Sequence, residues 1–211
     1  MQLIGMLDSP YVRRTAISLR LLGIPFEHKS VSVFSTFEQF QKINPVVKAP
    51  SLVCDDGEVL MDSNLIIDYG ESLVGAANSL MPKDIKAKQH ELRILGLALA
   101  ACEKAVQIVY EVNLRPKEKH HEPWLTRVRG QLLSAFKLLE GEVAAKPPTI
   151  VGEKTSQAGV TIAVVWQFVQ SMVGNVVIAS EYPALARFSM AAEKLPAFLA
   201  YPPDGPGVNA N

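Results

Sequence analysis

Cysteine is scarce in this chain: Cys54 and Cys102 are the only two among 211 residues. They stand far apart, and neither belongs to a CxxC pair or to a metal-ligand spacing. That excludes a disulfide framework and a cysteine-based metal site, and it fits free thiols in a reducing compartment. Net charge is missing as well. Twenty-one basic residues balance twenty-one acidic ones, so the chain lacks the positive excess that phosphate-backbone binding needs, and nucleic acid is not an expected partner. A long clean apolar run is also absent. The most apolar stretch, 160–179, is broken by Gln167, Gln170, Ser171, Gly174 and Asn175. It falls short of the roughly 20 apolar residues that cross a bilayer. A buried core helix is expected there, and no membrane partner. The N-terminus enters a strand-like pattern without a basic stretch followed by a long apolar region and a small-residue cleavage site, and the expected location is the cytoplasm.

Apolar residues make up 48% of the chain, enough for one large core or two modest ones. The first 75 residues alternate between strand and helix patterns. "QLIGML" reads as a strand and Pro10 to Leu22 as a helix, with proline near its first position, where a missing N–H costs nothing. Gly23 stops that helix. "PFEHKSVSV" reads as a second strand, "FEQFQKI" as a short helix, and "PSLVC" and "EVLM" as two strands joined around "DDG", a hairpin signal. A helix then starts at Ser63. The order βαβαββα is the thioredoxin-like arrangement, an α/β domain over 1–75.

A linker over 76–83, rich in Gly, Asn and Pro, leads to an all-α helical-bundle domain over 84–211. In the helix from Asp84 to about Asn113, Leu92, Leu95, Leu99, Cys102, Val106 and Val109 recur at spacings of three and four. Leu125, Val128, Leu132, Ala135, Leu139 and Val143 do the same in the next. A third helix, about Gln157 to Val173, is apolar nearly all round and is expected to run through the bundle centre. Ser156 lacks the acid three residues later that completes a capping box, because Gly159 stands there. Cys102 belongs to the core pattern, Trp166 to aromatic packing. The adjacent His120 and His121 fit a solvated loop without clustered ligands, and no metal is expected.

Three stretches then carry a resemblance. "SPYVRR" follows the first strand, "NPVVKAPSL" leads into the third, and "DSNLIIDY" opens the next helix. In that order, on a thioredoxin-like domain followed by a helical one, they make the chain resemble the cytosolic glutathione transferases over nearly its whole length. "LRPKEKHHEPWLTRVRGQLLSAFKLLEGEV" is similar to the second-domain helices of bacterial members. The resemblance implies glutathione as co-substrate and a homodimer. Its activity is attack of the bound thiolate on a small apolar electrophile, a chemistry of detoxification.

A glutathione site must hold two carboxylates and an amine, and must lower the pKa of a thiol near 8.5 or above. Ser63, at a helix start, suits the γ-glutamyl carboxylate and Asp62 the amine; read alone, Ser63 is equally an N-cap. By the resemblance the Ala49–Pro50 bond is cis and turns the Ala49 backbone toward the cysteinyl part, whereas a trans proline at a strand start is the ordinary reading. Ser9 is either the cap of its helix or the hydroxyl that donates to the glutathione sulfur, with Tyr11 the other hydroxyl at hand. Lys48 and Lys42 are candidates for the glycine carboxylate. Tyr11 and Tyr110 are candidates for the electrophile pocket. On the same scaffold stand two alternatives: another glutathione-dependent reaction (isomerisation, dehalogenation or reduction) and a non-catalytic carrier or interaction protein. A redox-active cysteine in place of Ser9 would favour thiol exchange.

Overall fold

The computed structural model describes residues 1–205 and divides into two compact units. One holds residues 1–80 and 196–205, and the other holds Met81–Leu195. The helical domain was expected to run on to residue 211; residues 206–211 lie outside the described ones, and residues 196–205 belong to the first unit.

In the first unit, β1 (Gln2–Ile4), β2 (Glu27–Lys29), β3 (Ser51–Val53) and β4 (Val59–Met61) form a mixed sheet in the order β2-β1-β3-β4. β1 and β2 run parallel across α1 (Pro10–Leu22), while β1–β3 and β3–β4 are antiparallel. With α2 (Phe37–Ile43) and α3 (Ser63–Val74) this is the expected βαβαββα order. Two strands are shorter than their sequence patterns suggest. β1 stops at Ile4 because Gly5 takes φ 141° and leaves the extended region. β2 stops at Lys29, and the following "SVSV" gives way to a turn: Ser32 Oγ accepts from the N–H groups of Phe34 and Ser35, both at 3.1 Å. Such local bonds offer the backbone an alternative to the ladder.

α1 is the central helix of this unit. Its C-terminus closes as a Schellman motif, with Gly23 at φ 77° and N–H bonds from Gly23 to Arg20 O and from Ile24 to Leu19 O, each 3.0 Å. It packs against α3, β1 and the short helix α8 (Pro196–Leu199). All its residues except Tyr11 and Arg20 are buried, Arg13 and Arg14 included.

The second unit is built on α4 (Ile85–Leu114), α5 (Glu122–Ala145), α6 (Gln157–Val173) and α7 (Pro183–Ala192), with a two-stranded ribbon of β5 (Ile150–Val151) and β6 (Lys154–Thr155). α6 is buried on almost every face, as its composition suggested. Its Trp166 meets Phe136 and Tyr182 edge-on, at centroid distances of 5.8 and 6.2 Å. The six stripe residues of α5 are all buried. The α4 stripe needs correction: Leu92 is 53% exposed, and the buried face runs through Leu95, Ala98, Ala101, Cys102, Ala105 and Val109. α4 packs against both α5 and α6. Its alanines let two helices approach, and a pattern keyed to large residues passes over them.

The starts of α6 and α7 are held by carboxylates from other helices. Ser156 Oγ accepts from Gly159 N–H at 3.3 Å, and Glu91 Oε1 of α4 accepts from Ala158 N–H at 2.7 Å. A Cβ at residue 159 would fall against Thr155 Oγ1, which favours glycine there, and Glu91 of α4 accepts another of the free N–H groups of the same turn. α7 has no local side-chain cap. Glu140 of α5 serves it, with Oε1 accepting from Ala184 N–H at 2.8 Å and Oε2 from Leu185 N–H at 3.0 Å. No described helix is long and apolar enough to cross a membrane.

Candidate active site

Strand register brings the three singled-out stretches to one end of the sheet. Ile4 pairs with Ser51, and Ser51 with Met61. The loop to Ser9 therefore leaves β1, the Ala49–Pro50 step enters β3, and Asp62 leaves β4, all at the same end. Gly5 lets β1 end against α1: a Cβ there would lie 2.5 Å from Val12 Cγ2.

Ser9 is the N-cap of α1, with its Oγ accepting from Val12 N–H at 3.4 Å. Its N–H donates to Met6 O at 3.2 Å, and its carbonyl accepts from Arg13 N–H at 2.9 Å. A hydroxyl has one proton and two lone pairs. The cap bond uses a lone pair, so capping leaves Ser9 able to donate.

The Ala49–Pro50 bond is cis, as the resemblance implied. Ala49 is half-buried and Pro50 buried. The approach to them is braced by Asn44, which is 2% exposed: its Nδ2 donates to Ser51 Oγ at 2.8 Å and its Oδ1 accepts from Val46 N–H at 3.0 Å. Ser51 Oγ in turn donates to Lys48 O at 2.7 Å. The side chains of Lys42 and Lys48 are exposed.

At the start of α3 the N-cap is Asp62, whose Oδ1 accepts from Asn64 N–H at 2.9 Å. The cap reading of Ser63 is thereby corrected: Ser63 is the first helical residue. Its Oγ accepts from Arg14 Nη1 at 2.8 Å, and the same nitrogen donates to Asn64 Oδ1 at 3.0 Å. Asp62 has φ 76° and ψ 128°, a sparsely populated region for a residue with a Cβ and one that recurs at ligand sites.

Tyr11 is half-buried in the first turn of α1, and Tyr110 on α4 is 42% exposed. Burial, with Asp56 adding to it, pushes the Cys54 thiol up, against a hydrogen bond from Tyr69. Cys54 is thus held away from the thiolate form that makes a cysteine reactive. Cys102 is fully buried. No group of three or more His, Cys, Asp and Glu among the described residues is placed to hold a metal ion. His120 instead bonds the Arg115 carbonyl through Nε2 at 3.1 Å.

Arg14 closes the stretch SPYVRR and Asn44 opens NPVVKAPSL, but neither was singled out as a site support. For Arg14 a signal existed: two arginines inside a helix that otherwise buries most of its surface must find acceptors.

Residues 3–77 match the family model "Glutathione S-transferase, N-terminal domain", and residues 101–196 match "Glutathione S-transferase, C-terminal domain". A glutathione S-transferase of Triticum aestivum is 31% identical over 197 residues, covering 89% of this chain and 85% of that protein. A probable maleylacetoacetate isomerase of Caenorhabditis elegans is 27% identical over 209 residues, 93% of this chain and 92% of that one. The structure is similar to that of a glutathione transferase family member from Pseudomonas fluorescens with bound S-(propanoic acid)-glutathione. That match has a TM-score of 0.79 and 27% identity over 97% of this chain and 100% of the other. The chain belongs to the glutathione S-transferase superfamily.

Proposed function

We propose that this protein is a glutathione transferase in which Ser9 favours the thiolate of bound glutathione, and that the thiolate attacks a small apolar electrophile. One observation supports the reading: strand register brings to one end of the sheet the loop that leads to Ser9, the Ala49–Pro50 step and the Asp62–Ser63 helix start. The γ-glutamyl carboxylate meets the N-terminal N–H groups of α3 and the Ser63 hydroxyl, where the helix dipole favours an anion. Since Ser63 Oγ accepts from Arg14, its own proton is directed elsewhere and serves as a donor. Asp62 takes the amine. The Ala49 backbone pairs with the cysteinyl segment in the manner of an added strand, and Ser9 donates to the sulfur. Lowering a thiol pKa by two units takes roughly 2.7 kcal/mol, the size of one hydrogen bond to a charged group with a helix N-terminus behind it.

Tyr11 and Tyr110 are proposed to face the electrophile, Lys48 to meet the glycine carboxylate, and the protein to work in the cytoplasm. Similarity to the isomerase supports a second reading, glutathione-dependent isomerisation with the same thiolate as nucleophile. Retention on immobilised glutathione followed by a panel of electrophiles and of maleyl-type isomerisation substrates separates the possibilities. Conjugation without isomerisation is expected. Isomerisation alone selects the second reading, and retention with neither activity leaves a carrier.

A further inference from the structure

The carboxyl-end segment of the first unit is fastened on both sides of Ser9. Tyr201 O accepts from Arg13 Nε at 2.8 Å, and the Arg13 guanidinium carbon lies 5.8 Å from the centre of the Phe198 ring. The Tyr201 ring stacks on Phe26 at 5.6 Å with planes 22° apart. Three residues on, Asp204 O accepts the N–H of Asp8 at 3.1 Å. The fit is close there: a Cβ at residue 205 would fall on the Asp8 carboxylate. Asp8 immediately precedes Ser9, and Arg13 is the residue whose N–H the Ser9 carbonyl caps.

We propose that Tyr201–Gly205 is a positioning strap for Ser9. The loop from Gly5 to Ser9 begins at a residue with little conformational restraint of its own. A hydroxyl must sit within about 2.7–3.2 Å of its acceptor and point at it to count as a donor. Bonds to Asp8 on one side and Arg13 on the other restrict where Oγ can go. The Ala49–Pro50 and Asp62–Ser63 positions are set by β3, by the β4–α3 junction, by Asn44 and by the Arg14 bonds to Ser63 and Asn64, so the strap is expected to act chiefly on the sulfur end of glutathione. The inference rests on Ser9 as the thiol donor, and part of its test does not.

Two proteins test it: a chain ending at Ala200, and the full chain carrying Gly205→Val, which keeps the test alive where the shortened chain fails to fold. In either, exchange of the Asp8 amide hydrogen should speed up about tenfold or more. The thiol of bound glutathione should titrate about one unit higher, leaving about threefold less thiolate at about pH 7. kcat at neutral pH should fall with it while KM for glutathione stays within about twofold. Unchanged Asp8 exchange in a folded variant overturns the strap, as does an unchanged titration beside an intact wild-type shift. A rise in KM with kcat preserved also overturns it, assigning the segment to glutathione binding. A wild-type chain that shows no thiol shift at all defeats the Ser9 reading instead, and that failure is distinguishable because Asp8 exchange still responds to the strap.

Discussion

A serine hydroxyl can accept and donate at once, and at Ser9 this dissolves the choice between cap and donor. The Val12 N–H occupies one lone pair and the proton is left for a ligand. At the other helix start the two duties fall on separate residues. Asp62 caps, at the cost of a positive φ, and Ser63 accepts from Arg14, which leaves its proton for an anion. Ser63→Ala should therefore weaken glutathione binding by about 1.5–3 kcal/mol, the worth of a hydrogen bond to a charged group, or about ten- to a hundredfold in Kd. Calorimetry on the folded variant reads it, and an unchanged Kd would remove Ser63 from the site. Local chemistry marked Ser9, Pro50 and Asp62–Ser63 as a helix start, a strand start and a turn, and the resemblance supplied the cis bond and the roles proposed for them. Asn44 and Arg14 were not marked, because their acceptors are set by how β3 and α3 are placed against the rest of the unit.

Helix limits follow the same division. Pro10–Leu22 and Gln157–Val173 stand where proline, glycine, serine and apolar periodicity put them. What holds the starts of α6 and α7 was hidden, since Glu91 lies 67 residues from Ala158 and Glu140 lies 44 from Ala184. Replacing Glu140 by glutamine turns one accepting oxygen into a donor facing an N–H. Glu140→Gln should cost about 1–3 kcal/mol as one buried donor loses its partner, with each kcal/mol lowering the melting temperature by about 2–4 °C in a chain of this size. Thermal unfolding followed by circular dichroism checks it. Unchanged melting would mean that water satisfies α7 equally well.

For the whole molecule, the sequence pattern led from an α/β unit to a helical one but did not show the chain returning to the first unit after residue 195. That return depends on Tyr201 finding Phe26 and Arg13, contacts that no local periodicity encodes. The homodimer implied by the resemblance is a proposal, for which the exposed Leu65 and Leu73 on α3 and Leu92 on α4 are the candidate contact residues. Light scattering at micromolar concentration should give twice the 23.0 kDa chain mass, and Leu92→Glu should move it toward the monomer; a wild-type monomer would contradict the dimer.

The most direct test of Ser9 as the thiol-activating group is an ultraviolet titration of the glutathione thiol bound to the wild-type protein and to Ser9→Ala. The donor role requires the wild-type thiol to titrate about two units below its free value near 8.5. Ser9→Ala should recover at least about one of those units, worth about 1.4 kcal/mol, with the Kd for glutathione nearly unchanged. Identical titrations in the two proteins, beside a loss of about 0.5–2 kcal/mol in the stability of Ser9→Ala, would contradict it and leave Ser9 as the cap of α1 alone.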